Sequence, residues 1–256
     1  MSTNQIFMNY QESIKSTPCD SFNQLYIIHY LFASFVFTIY AAQVCPLLES
    51  QTSIQLLLPL LISLFIRQFL SQKILQKPYE FQTLQFFYMD MLLFLGAGLL
   101  LVSYNTVIHM APWHSNLKVM TGMVILGLFV AIDLALNHER KISETLIREQ
   151  LALDLSQHFS SFIKKFNAMA ILLICSTSLI LFLVINKDLD WLLTQGTDIS
   201  SEFARKNILT EVAFVMLLLL LYCIRIIHTY AKNLNLVISY QNSVLNAVIN
   251  GDLRHL

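Results

Sequence analysis

Long apolar runs separated by short polar connections set the rhythm of this chain. Lipid leaves each backbone polar group to be satisfied within its own segment, so a bilayer core of about 30 Å is crossed by roughly 20 mostly apolar helical residues. Six stretches meet that length: 25–45, 54–70, 84–104, 117–136, 166–185 and 211–230. The first four follow one another closely, whereas longer polar stretches precede the fifth and sixth. The pattern predicts an all-α polytopic membrane protein with six transmembrane helices. A four-span block over 24–137 is followed by a two-span hairpin over 166–230.

Between block and hairpin, residues 138–165 hold neither Gly nor Pro, and Ile147, Leu151, Leu155, Phe159, Phe162 and Phe166 recur three or four apart. That spacing predicts an amphipathic connecting helix, either running through the cytoplasm into the fifth span or resting on the membrane surface. The sixth span continues without a helix breaker until Gly251. In this last segment, 231–256, Leu234, Val237 or Ile238, Val244 or Leu245, and Val248 form a coiled-coil-like seam that polar Gln241 interrupts. Residues 1–23 are polar and lack a basic start followed by a short apolar region, so they are expected to stay in the cytoplasm uncleaved.

Composition agrees with the pattern. Of 256 residues, 56% are hydrophobic and 12% charged, against about 25% charged in soluble domains. The net charge of zero gives no electrostatic argument for a nucleic-acid partner. Orientation comes from the distribution of basic residues, which favour cytoplasmic loops. A cytoplasmic N-terminus puts Lys73, Lys77, Arg140, Lys141, Arg148, Lys164, Lys165 and Lys232 inside, and Lys118, Lys187, Arg205 and Lys206 outside. It also puts Trp113 and Trp191 in outer loops near the bilayer surface, and returns the C-terminus to the cytoplasm. The expected location is a membrane, crossed several times, with the N- and C-termini in the cytoplasm.

Three charges fall inside expected spans: Arg67, Asp90 and Asp133. Each needs a partner, a wet cavity or a shallow position. Arg67 and Asp90 reach similar depth on consecutive helices, so a pair between them would reduce the desolvation cost of both. A structural clamp is the first expectation for this cluster, ligand or signal sensing the second, and ion or proton transport the third. In an outer loop, His109, Trp113 and His114 offer an external contact together with Trp191, or a metal or pH-titrating site. No two histidines stand out at matching depth for an intramembrane haem. Cys19, Cys45, Cys175 and Cys223 lack C-x-x-C spacing and read as packing residues. No phosphate loop, H-E-x-x-H or G-x-S-x-G occurs, so no catalytic residue, metal ligand or cofactor is assigned to the segment.

The end of the chain, "VINGDLRHL", carries a resemblance. A span running into an amphipathic helix that ends on Val248, Gly251, Asp252 and Leu253 resembles the first helix of a HAMP linker. The usual proline at the start of that helix is absent, and the connector and second helix would lie beyond Leu256. With six spans in front, the layout resembles the membrane module of bacterial class III adenylate or guanylate cyclases and, less closely, of sensor histidine kinases. The resemblance implies a homodimer whose cytoplasmic output makes cAMP from ATP with a divalent metal. It also implies a relay through Leu234, Val237, Gln241, Leu245, Val248, Gly251, Asp252 and Leu253. A small transporter or channel subunit is the alternative of another class, and a haem-binding electron carrier ranks last. With short outer loops, the expected stimulus is a lipid, a small apolar ligand, a membrane property or a membrane-protein partner.

Overall fold

A computed structural model describes residues 19–44, 53–111, 113–148, 155–195 and 201–250, all as helices and the turns that join or end them. The helices are α1 (Cys19–Val44), α2 (Ser53–Leu75), α3 (Tyr79–Ile108), α4 (Trp113–Arg148), α5 (Leu155–Gln195) and α6 (Ser201–Ile249). Five stretches are long and apolar enough to cross a bilayer: Gln55–Leu75, Phe81–Ile108, Ser115–Ile147, Asn167–Asn186 and Ile208–Asn246. Leu25–Ala41 in α1 is a shorter apolar stretch. The chain is an all-α, multi-pass membrane protein.

What each helix exposes supports this assignment. Phe35, Phe65, Phe69, Leu92 and Phe182 are all more than 60% exposed, while Arg67 and Asp90 are at most 1% exposed. Water would favour the reverse arrangement; a hydrocarbon solvent favours this one, because polar groups there must find partners within the protein. Contacts divide the chain into two units, Met1–Leu134 and Ala135–Leu256, with the division falling inside α4.

In the first unit α2 packs against both α1 and α3. The α2–α3 turn is closed by a side chain: Gln82 Nε2 donates to Lys77 O at 2.7 Å and to Leu75 O at 3.3 Å. These are carbonyls that the end of α2 leaves without helical partners. Ile74, Phe86 and Met89 form a buried cluster beside this turn, and Ser63 Oγ donates to Leu93 O across the same pair of helices. Two glycines of α4 admit large neighbours. A Cβ at Gly122 would collide with the Tyr40 ring, and one at Gly127 with Phe94. Small residues at helix contacts let backbones and rings approach closely where no hydrophobic force drives association. Tyr40 also donates through its hydroxyl to Lys118 O at 3.2 Å.

In the second unit α5 packs against α6. Met169, Leu173, Ile180 and Val184 of α5 and Val215, Leu219, Tyr222 and Ile226 of α6 are buried. Farther along α6, Asn233 Nδ2 donates to Leu136 O of α4 at 2.9 Å. Helix α4 extends to Arg148, twelve residues past the span end expected at 136, and α5 begins at Leu155. The middle of the expected connecting helix, 149–154, lies outside the described residues, as do the side chains of Leu155, Phe159, Phe162 and Phe166.

Candidate functional site

Arg67 and Asp90, two buried charges of the first unit, are held among three helices. Tyr26 and Tyr30 stand one turn apart on α1, Arg67 lies near the end of α2, and Asp90 sits on α3. Arg67 Nε donates to Asp90 Oδ1 at 2.6 Å and Nη2 donates to Oδ2 at 3.1 Å, a bidentate fork. Such forks are strong and orientation-specific. Tyr30 adds its hydroxyl to Asp90 Oδ1 at 2.8 Å. Asp90 thus accepts three hydrogen bonds, two from the guanidinium and one from a neutral hydroxyl, and ties α1, α2 and α3 together. The guanidinium carbon lies 4.4 Å from the centre of the Tyr26 ring, with Phe86 at 5.7 Å and Tyr30 at 5.8 Å. Aromatic faces are negative and stabilise a desolvated cation.

Asp133, on α4, takes a different partner. Its Oδ2 lies 3.3 Å from His29 Nδ1, with both side chains buried. The structure therefore gives the three intramembrane charges two separate sets of partners: Arg67 is paired with Asp90, and Asp133 is in contact with His29. Consecutive residues of α1, His29 and Tyr30, reach one pair each. The pattern of apolar and charged positions did not single out Tyr26, His29 or Tyr30 as partners. The signal available was the spacing of Tyr26 and Tyr30, four apart and so on one helix face.

The other expected site residues lie only partly within the described residues. His109 is exposed, its ring 5.5 Å from that of Tyr104, and Trp113 is exposed. The side chains of His114 and Trp191 lie outside the described residues. Among the described residues no group of three or more His, Cys, Asp or Glu side chains could hold a metal ion. Of the relay residues, Val237 is buried, Leu245 exposed and Leu234, Gln241 and Val248 intermediate, while Gly251, Asp252 and Leu253 lie outside the described residues. Of the two adjacent candidates that spacing allowed, Val237 is buried and Ile238 is 40% exposed.

A family model, MASE10, matches residues 29–214. The chain belongs to the MASE10 family. This MASE10 segment is a membrane sensory module; the match runs from His29 in α1 to Phe214 in α6, and encloses Arg67, Asp90 and Asp133. The expected relay residues, all beyond 214, lie outside it. The chain is also similar to a cyclic di-GMP phosphodiesterase of Vibrio cholerae serotype O1, at 25% identity over 226 residues. That alignment covers 88% of this chain and 46% of the relative, so the chain spans less than half of the relative's length. No solved structure matches.

Proposed function

We propose that the MASE10 segment senses a stimulus in the membrane and, through α6, sets the activity of a cytoplasmic output domain that turns over cyclic di-GMP. The similarity to the Vibrio cholerae cyclic di-GMP phosphodiesterase supports this output. It replaces the cAMP-forming cyclase that the HAMP-like ending led us to expect. ATP and a divalent metal, implied only through that cyclase, are not carried forward. In this reading both termini face the cytoplasm of a bacterial inner membrane, as the distribution of lysine and arginine favours. The stimulus is a lipid, a small apolar molecule, a membrane property or a partner membrane protein. The aromatic and ionic cluster around Asp90 is the part of the sensor that holds α1, α2 and α3 in one arrangement.

The test is to express the complete gene product in bacterial membranes and measure cyclic di-GMP and cAMP. The expected result is a change of several-fold in cyclic di-GMP with cAMP constant. A change in cAMP alone would restore the cyclase, and a change in neither would remove the cyclic-nucleotide output altogether.

A further inference from the structure

Helix α6 has two faces of different standing. One is packed within the second unit: Tyr222, Ile226, Tyr230, Asn233 and Val237 are buried. Val237 is the last of them, and from Ile238 to Asn250 no described side chain is buried although the helix continues to Ile249. This end of α6 therefore leaves the packed part of its unit with apolar side chains on its surface, among them Ile238 at 40% and Leu245 at 59% exposure.

The other face carries a regular repeat. Ala231, Leu234, Ile238, Gln241, Leu245 and Val248 alternate spacings of three and four. None of the six is buried, and Leu245 is 59% exposed. The same alternation extends back into the span through Leu217, Leu220, Ile224 and Ile227, each more than half exposed. A sustained 3.5-residue repeat keeps one stripe facing a supercoiled neighbour, with alternate positions seated in the partner's holes.

We propose that this stripe is covered by the same stripe of a second copy of the chain, in parallel and in register. The inference extends the relay reading of α6 given above by naming the partner and the contact residues. Three observations favour a second copy. Lys232 is the one Lys, Arg, Asp or Glu between Ile226 and Gly251, and it lies beside the stripe rather than on it. The flanking positions Asn235, Val237, Asn242 and Val244 are uncharged, so a copy meets no like charge, while a charged partner finds nothing to pair with. Gln241 interrupts the stripe with a group that both donates and accepts, so two such amides facing each other across a two-fold axis satisfy one another. A single polar residue in such a seam fixes register. Insertion in one membrane also gives every copy the same direction, which selects the parallel arrangement.

Cysteine crosslinking of the complete protein in native membranes tests the contact, with Cys19, Cys45, Cys175 and Cys223 replaced by serine or alanine. Single variants Ile238→Cys, Gln241→Cys and Leu245→Cys are compared with Ser239→Cys, Ser243→Cys and Asn246→Cys under mild oxidation. The expected result is a symmetric dimer band at least tenfold stronger for the first three. In the Leu245→Cys background, Gln241→Glu places two carboxylates face to face and should reduce the band severalfold. Equal yields at all six positions, no dimer band at any, or a band at the mass of a different partner would each overturn the proposal. The readout is independent of any nucleotide activity, so failure of the cyclic di-GMP reading leaves this result standing, and the reverse.

Discussion

Asp90 is where the first unit concentrates its polar interactions. Two donors from Arg67 and one from Tyr30 converge on its carboxylate. Deleting one member of a buried ion pair leaves an uncompensated charge and costs about 3–5 kcal/mol, whereas replacing both by apolar groups is often close to neutral. Asp90→Leu should therefore lower the thermal stability and yield of the detergent-solubilised protein, and Arg67→Leu added to it should restore much of the loss. Tyr30→Phe removes one hydrogen bond to a charged group and should cost about 1.5–3 kcal/mol. Fluorescence-detected size exclusion after a heating series reads these variants and the Arg67→Leu single variant against the unsubstituted protein. A double variant no better than either single one would show that the pair contributes little beyond its separate members.

At the scale of the helix, packing rests on where a side chain is missing. Gly127 faces Phe94 too closely for a Cβ, while Gly96 has nothing within 4 Å of the place a Cβ would occupy. Replacing either by alanine removes the same helix penalty for glycine, about 1 kcal/mol. Their outcomes should nevertheless differ in sign. Gly96→Ala is expected to be neutral or stabilising, and Gly127→Ala to destabilise by about 1–3 kcal/mol through overpacking. The same heating series measures both. Helix α6 shows the complementary rule, since among the described residues its last buried side chain is Val237 while the helix runs on to Ile249. A contact outside its own chain is then the natural support for that end.

For the molecule as a whole, the decisive property is that large apolar side chains such as Phe35, Phe65 and Phe69 lie on the outside while Arg67 and Asp90 are buried. It follows from the solvent being lipid. Orientation in that solvent is governed by charge outside the spans, and the proposed placement has both termini on the cytoplasmic side, that of the Lys and Arg excess. A membrane-impermeant thiol reagent applied to intact cells, with the native cysteines replaced, should label a cysteine at Thr197, between α5 and α6. It should leave one at Ser243 unlabelled until the membrane is opened. The reverse pattern would overturn the orientation and with it the cytoplasmic relay.

Fold class and the approximate spans could be read from the sequence, because bilayer thickness and the demand for internal backbone hydrogen bonds impose length and hydropathy on the chain itself. Similar depths for Arg67 and Asp90 could be counted along two consecutive helices for the same reason. Which charge meets which partner depends on the rotation of each helix about its axis, and no residue count along one strongly apolar helix supplies that angle. Only tertiary packing assigned Asp133 to His29, brought Tyr30 onto Asp90 and set Tyr26 against the guanidinium. It likewise separated Gly127 from Gly96 and turned Val237 inward while leaving Ile238 out. Periodicity left that last choice open, because two adjacent β-branched residues fit an apolar stripe about equally well until a neighbouring helix covers one of them.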